Sequence, residues 1–437
     1  MKRTVTTTRP LRSDAVAIAV HTLREPATIR LRCANIAEAV AHESSRWWRL
    51  ELGKLDAAVE LVLQTTRKRY PGLKVPYHSR WRNFEAGGIN RPGELSRALA
   101  HLDPAEQARS RIDLAVVSVL LDAGAGNDWN YVEPGRGITP SAHDMADPAR
   151  QYAQNEGLAV ATFRGFMRGL FSSDLSRPCR VDADALLRID ADVLAAMFEA
   201  HDANPLVGLE GRARLLRGLG MALKTQTEWF GAQENHGPAR PGGLYDVLSG
   251  SGASRSIAAA DILRALLAAL GGIWLTESRI GDTSLGDTWR HPHAGGMGAA
   301  SGWVPFHMLS QWLAYSLLEP FELAGIKVSG RDALTALPDM NNGGLLIDTG
   351  VITFKDRELA TRTWQTSDEI VVEWRALTVH LIDKLAERIR IRLGKDSASL
   401  PLACIVEGGT WAAGNELARR LRQGSSALVI ASDATVF

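Results

Sequence analysis

The chain has few cysteines, almost no excess charge and no uninterrupted membrane-length apolar run. Only Cys33, Cys179 and Cys404 occur in 437 residues, far apart and without a CxxC pair. That argues against a disulfide framework or a structural zinc ribbon and fits reduced thiols packed as small hydrophobes. Formal net charge is +1, so the basic surplus of a dedicated nucleic-acid binder is missing. The N-terminus, Met1-Lys2-Arg3-Thr4-Val5, lacks the apolar core of a signal peptide. The longest apolar stretch, Trp303 to Ile326, is broken by His307, Gln311, Glu319, Pro320 and Glu322. Carboxylates there fit a buried helix or helix pair better than a membrane span. A soluble, cytoplasmic protein is expected, with no nucleic-acid or membrane partner. The pattern assigns no oligomeric state.

What is present is ordinary globular material, 45% hydrophobic and 23% charged, with helical periodicity dominant. Leu55 to Tyr70 carries Leu55, Val59, Leu61 and Val62, ends on Arg67-Lys68-Arg69 and stops at Pro71-Gly72, as a helix dipole favours. Ala105 to Leu121 begins polar and turns apolar. Asn204-Pro205 through Leu223 reads as N-cap, first-turn proline and helix. Ile257 to Leu270 ends at Gly271-Gly272. Ser367 to Leu393 is the longest candidate, with Ile370, Trp374, Leu377, Leu381, Leu385 and Ile389 at three- and four-residue spacing. Strand signals are short. Leu402 to Val406 and Ala427 to Ala431 flank a helix, a possible strand–helix–strand unit, and Leu345 to Phe354 reads as a hairpin turning at Asp348-Thr349-Gly350. The expected fold is mainly α: a large helical core with a few short strands and a small C-terminal α/β appendage. The expected organisation is an N-terminal arm over 1–30, partly flexible, an integrated core over 31–395 and the appendage over 396–437.

Five segments carry side chains suited to chemistry. In Leu121-Asp122-Ala123-Gly124-Ala125-Gly126, followed by Trp129, Tyr131 and Glu133, small residues permit close approach to backbone and aromatics can wall a sugar or base; helix capping by Asp122 with a core Trp129 is the plain alternative. Gly124-x-Gly126 is no dinucleotide fingerprint, since no strand precedes it and the third glycine is missing. The run Asp287-Thr288-Trp289-Arg290-His291-Pro292-His293, then His307 and Gln311, offers three histidines at no standard helical metal spacing; hydrogen bonding to a polar substrate by His307 and Gln311 at a helix start suits them better. Asn341-Asn342-Gly343-Gly344 leads to Asp348, where burial would raise a carboxyl's pKa. Glu369 and Glu373 share a helix face, and Glu373 beside the apolar stripe can act as acid, base or cation stabiliser, or simply pair with an arginine. Glu407-Gly408-Gly409-Thr410-Trp411 is a strand-to-helix turn that can present free N–H groups to an anion.

Taken together, the sequence resembles the uracil-catabolism protein four family over nearly its whole length. The residues that carry the resemblance are Leu121 to Gly126, Glu156-Gly157-Leu158, Phe171-Ser172-Ser173, Asn204-Pro205 with Gly211-Arg212, Val304-Pro305-Phe306-His307 with Leu309-Ser310-Gln311-Trp312-Leu313, Asn342-Gly343-Gly344, Glu407 to Trp411 and the ending Ser432-Asp433-Ala434-Thr435-Val436-Phe437. A shorter match, Asp287-Thr288-Trp289 with Leu309-x-Gln311 and Val372-Glu373-Trp374-Arg375, is similar to the queuosine salvage nucleosidases, whose fold is like that of DNA glycosylases. Those proteins carry an aspartate just before Leu-x-Gln, where this chain has Phe306 and His307, so no catalytic role transfers at that position.

The resemblances imply a hydrolase of uracil breakdown that cleaves the C1′–N bond of a ribosylurea, phosphorylated at the 5′ position, and releases urea. On that reading the catalytic candidates are Glu373, Asp348, Asp287 and His307. The substrate-binding candidates are Asp122, Trp129, Tyr131, Trp289, His291, Gln311, Asn342 and Arg375, with Arg290 a further phosphate partner. No cofactor or metal is expected, and other uracil-catabolism enzymes are possible partners. Two other readings stand beside it: a metal-dependent amide or ring hydrolase using His291, His293 and His307, and a non-catalytic helical scaffold that binds pathway enzymes.

Overall fold

Helix after helix forms where apolar residues recur at three and four positions, and the caps sit where short polar side chains meet free N–H groups. A computed structural model of the chain describes residues 9–122, 124–126, 128–135, 149–231, 238–250 and 256–431. Ala123, Asn127, residues 136–148, 232–237 and 251–255 and the ending Ser432 to Phe437 lie outside them. The architecture is mainly α, and the strands are short, pairing in sheets of two. Among the described residues no helix is long and apolar enough to cross a membrane.

The chain divides into two units. The first takes the described parts of 1–76, 276–308 and 331–431; the second takes 77–275 and 309–330. In the first, helix Glu369–Leu393 packs against helix Pro26–Ala41, which buries Ile29, Cys33, Ile36, Ala37 and Val40 along one stripe. The long helix starts after Asp368 and ends at Gly394 in the left-handed conformation, φ 60°. Strand Trp48–Leu50 pairs antiparallel with Ile352–Phe354, and Thr288–Arg290 with Trp303–Pro305. In the second unit, helix Pro104–Leu120 begins with Asp103 accepting the N–H of Glu106 at 2.8 Å, Pro104 in the first turn and Glu106 facing the dipole. From Ala108 to Leu120 every residue is buried.

Several local expectations are corrected. Met340–Asp348 is a helix capped by Asp339, and Ile352–Phe354 pairs with Trp48–Leu50, so no hairpin turns at Asp348. Asn204 caps no helix. Its side chain bridges to Asn130, accepting from that residue's N–H at 2.9 Å and donating to its carbonyl at 2.8 Å, and the helix begins later, at Leu209–Thr225. Leu402–Ile405 is helical and runs through a π turn, Val406–Thr410, into helix Trp411–Arg422. The N–H groups of Gly408 and Gly409 therefore lie inside a helical run rather than at a free helix start. These glycines serve close packing instead: a Cβ on Gly409 would stand 2.5 Å from Val62 Cγ1.

Helix Met340–Asp348 shows how specific such packing is. A Cβ on Gly343 would meet the Trp374 ring at 2.3 Å, whereas one on Gly344 would meet nothing nearer than Arg422 at 3.9 Å. Gly343→Ala is expected to lower stability by about 1–3 kcal/mol through overpacking. Gly344→Ala, in the same helix, is expected to be neutral or to stabilise by up to about 1 kcal/mol. Urea unfolding of both variants checks the contrast, and equal effects would contradict it.

Candidate functional site

Helix Glu369–Leu393 is buried on every side from Ile370 to Val379. Glu373 and Arg375 are thus carried into the interior, each at most 1% exposed. A buried charge is tolerated only with hydrogen-bonding partners, and the structure supplies two different solutions.

Glu373 is held by neutral donors. Ser45 Oγ donates to Glu373 Oε2, and that same oxygen of Ser45 accepts the backbone N–H groups of Trp47 and Trp48, each at 3.0 Å. His291 Nε2 lies 3.2 Å from Glu373 Oε1, and His291 Nδ1 accepts the backbone N–H of His293 at 3.2 Å. That second bond leaves the ring proton on Nε2, which donates to the carboxylate. One turn earlier, Glu369 Oε1 accepts from Trp47 Nε1 at 3.1 Å and faces Arg46 Nε at 3.5 Å, with its side chain 33% exposed. Trp47 meets Trp364 edge-on at 5.6 Å, and Arg46 lies over its ring at 4.4 Å. The network therefore runs from buried Glu373 and His291 to a partly open border of Glu369, Trp47 and Trp364. One ligand-type atom from each of His291, Glu369 and Glu373 lies within 4.8 Å of the others.

Asp287 has a full counter-charge. It takes both arms of Arg375, each at 2.7 Å, together with Trp289 Nε1 at 2.7 Å and the Met308 N–H at 2.9 Å. Burial pushes its carboxyl up, but Arg375 and the other donors outweigh this and hold it below the usual range. Arg375 also rests over Phe306 at 4.2 Å, so its guanidinium is committed to this pair. His307 is buried at φ 49°, and its Nε2 donates to the Leu23 carbonyl at 3.0 Å. Asp348 is apart from the Glu373 network: Arg422 holds both its oxygens. Asn342 donates to Leu337 and Asp339 and accepts from Thr410 Oγ1 at 2.8 Å.

His291, His293 and His307 do not form the three-histidine set. His293 is exposed, His307 is bound to a carbonyl, and His291 joins Glu369 and Glu373. Asp122, Trp129, Tyr131 and Gln311 belong to the second unit. There Trp129 is core, its Nε1 donating to Phe198 O at 3.0 Å, while Tyr131 and Gln311 are buried. Ser45, Trp47 and Trp364 escaped the sequence reading. The adjacent pair Trp47-Trp48 was the only hint.

A family model described as "Protein of unknown function (DUF1688)" matches residues 22–437. The chain belongs to this family. It is 33% identical over 418 residues to "Protein urg3" of Schizosaccharomyces pombe, covering 94% of this chain and 96% of that one. It is also 33% identical over 422 residues to "Uracil catabolism protein 4" of Lachancea kluyveri, covering 89% and 92%. The resemblance drawn from the sequence motifs thus extends across almost the full length of both relatives.

Two outcomes follow from the site's electrostatics. Asp287→Asn removes the negative charge that both arms of buried Arg375 meet and is expected to cost about 3–5 kcal/mol in urea unfolding; a cost below about 1 kcal/mol would show that the pair is not what holds this segment. For His307, burial pushes the imidazole down to about 4, outweighing the Leu23 carbonyl and Asp287. Between that value and about 6.5 the unfolded chain binds a proton that the folded chain does not. The stability it contributes is complete above about pH 6.5 and falls by about 1.4 kcal/mol per pH unit toward pH 4. His307→Asn, whose side chain tolerates positive φ, is expected to flatten the melting temperature against pH in that window. An unchanged slope would assign acid sensitivity to other groups.

Proposed function

We propose that this chain serves in uracil breakdown as an N-glycosyl hydrolase that cleaves the C1′–N bond of a ribosylurea, phosphorylated at the 5′ position. The observation that carries the reading is the Ser45–Glu373–His291 network, with Glu369 one turn away on the same helix face. The name of the Lachancea kluyveri relative supports the pathway, and the similarity to nucleosidases supports the bond type.

As the C1′–N bond breaks, positive charge develops on the ribose. Glu373 is fixed by neutral donors, and among the described residues no arginine or lysine pairs with it, so its field is available to a nascent cation. It also orients the attacking water and takes its proton. The bond from water oxygen to C1′ forms as the bond to the urea nitrogen breaks, and that nitrogen takes a proton from solvent at the open border beside Glu369. General acid–base assistance of this kind is worth about 10²–10⁴-fold. Trp47 and Trp364 offer faces to a sugar. Asp287 and Arg375 brace the strand beside them.

A second reading has an observation of its own. His291, Glu369 and Glu373 gather three ligand atoms, and a metal held there would serve a metal-dependent amide or ring hydrolase. The tautomer weighs against it, because an Nε2 that carries the proton cannot ligate a cation.

The test is incubation of purified protein with synthetic ribosylurea 5′-phosphate and assay of free urea. Urea release is expected, with Glu373→Gln slower by about 10²–10⁴-fold while melting cooperatively. Absence of urea from folded protein would reject the hydrolase and leave the scaffold. Stoichiometric zinc or iron that disappears in Glu373→Gln would favour the metal reading.

A further inference from the structure

Helix Pro26–Ala41 carries two arginines, Arg30 and Arg32, and the first unit treats them differently. Arg30 Nε donates to Asp383 at 2.8 Å, and its Nη groups reach Asp383 and the carbonyls of Ala333 and Leu334. Arg32 is 4% exposed, yet among the described residues no carboxylate pairs with it. Its Nη1 donates to the Ala294 carbonyl at 3.1 Å, and its Nε is buried without an acceptor. Burial pulls its pKa down with no neighbouring carboxylate to offset it. A buried cation met only by a carbonyl is an arrangement that folding disfavours unless an anion arrives.

Ala294 opens the loop that leaves His291. Asn35 Nδ2 donates to the same Ala294 carbonyl at 2.9 Å. The chain continues through Gly295, Gly296, Met297 and Gly298, all exposed. Gly296 has φ 94°, and a Cβ on it would stand 2.1 Å from Arg32 Nη2. A Cβ and an N share one Cα, so Nη2 lies within about 5 Å of the Gly296 nitrogen. The N–H groups of Gly296 and Met297 find no acceptor among the described residues. A Cβ on Gly298 would have nothing within 4 Å, so the loop is open there. A guanidinium and two consecutive N–H groups thus lie together at an exposed loop, a donor set suited to an oxyanion.

We propose that Arg32 Nη2 and the Gly296 and Met297 N–H groups bind the phosphate of a phosphorylated substrate whose sugar meets Glu373. This rests on the glycosyl-hydrolase reading. His291, 3.2 Å from Glu373, and Ala294, which Arg32 holds, are the two ends of one 3-10 turn, closed by the Ala294 N–H on the His291 carbonyl at 3.2 Å. Such a turn rises about 2 Å per residue, so its ends stand about 6 Å apart, the scale of a ribose from C1′ to its 5′-phosphorus. Two other arginines of this region are already committed. Arg375 holds Asp287, and Arg290 donates to the Ser301 carbonyl at 2.7 Å with its guanidinium over Trp303. A phosphate supplies oxygens to a guanidinium and two N–H groups at once, whereas a sugar hydroxyl would leave the charge of Arg32 unmet.

Calorimetric titration of the full chain with ribose 5-phosphate and with ribose tests the subsite apart from catalysis. Ribose 5-phosphate is expected to bind about tenfold tighter than ribose or better, and Arg32→Gln to remove that advantage. If that variant does not fold, Gly296→Ala, in the exposed loop, sets a methyl against the guanidinium and should weaken ribose 5-phosphate likewise. Equal binding of the two sugars would overturn the subsite, as would unchanged ribose 5-phosphate affinity in a folded variant. Urea released from ribosylurea 5′-phosphate with the same KM by the parent protein and Arg32→Gln would overturn the subsite and leave the hydrolase standing. Ribose 5-phosphate held through Arg32 with no urea released would support the subsite and reject the hydrolase.

Discussion

A helix buried on every face cannot carry charged side chains unless other segments come to meet them, and this constraint organises the first unit. Glu373 and Arg375 lie two residues apart on helix Glu369–Leu393, so they point to different sides. Arg375 draws in Asp287 at one end of strand Thr288–Arg290, and Glu373 draws in His291 at the other. Two charge-directed contacts thus pin a short strand that has too few ladder bonds to fix itself. The turn at Ser45 is pinned likewise, since Ser45 Oγ reads Glu373 on one side and the Trp47 and Trp48 N–H groups on the other.

The two buried carboxylates differ in what they have left to offer. Asp287 meets a guanidinium in bidentate geometry with two further donors. Its charge is cancelled where it stands, and its field reaches little beyond Arg375. Glu373 is stabilised by a hydroxyl and an imidazole N–H, dipoles that hold the anion without neutralising it. A carboxylate solvated by fixed dipoles retains its attraction for a cation that forms next to it. This asymmetry, rather than burial by itself, separates Glu373 from Asp287 and from Asp348, whose oxygens both go to Arg422.

Long elements were legible because periodicity sums over many residues. The helices Leu55–Arg69, Pro104–Leu120 and Glu369–Leu393 fall where apolar spacing put them. Short apolar runs were not, because five residues satisfy a strand and a buried helix equally well. Leu402–Val406 went to helix and π turn, and Leu345–Ile347 to a helix. That second misreading also misplaced Asp348, which looked like a turn residue and is a helix-end carboxylate facing Arg422. Within the site, Glu369 and Glu373 were visible as a helical pair and His291 as one of three histidines. Their meeting was not visible, because residues separated by 82 positions share no local pattern. Ser45 left no mark, since a serine before an extended segment is common.

The glycine runs have the clearest physical account once the packing is known. Asn342-Gly343-Gly344 and Gly408-Gly409 read naturally as flexible turns or ligand cradles, yet both lie within helical backbone. Gly343 leaves a slot that the Trp374 ring fills, and Gly409 lets its helix approach Val62. Trp374 follows Glu373 directly in the chain. A helix advances about 100° per residue, so seating the Trp374 ring in that slot fixes the rotation of the helix about its own axis. That rotation decides whether Glu373 meets Ser45 and His291 or turns into the apolar stripe. The missing side chain at Gly343 is therefore part of what positions the carboxylate, although it touches neither Glu373 nor any partner of it.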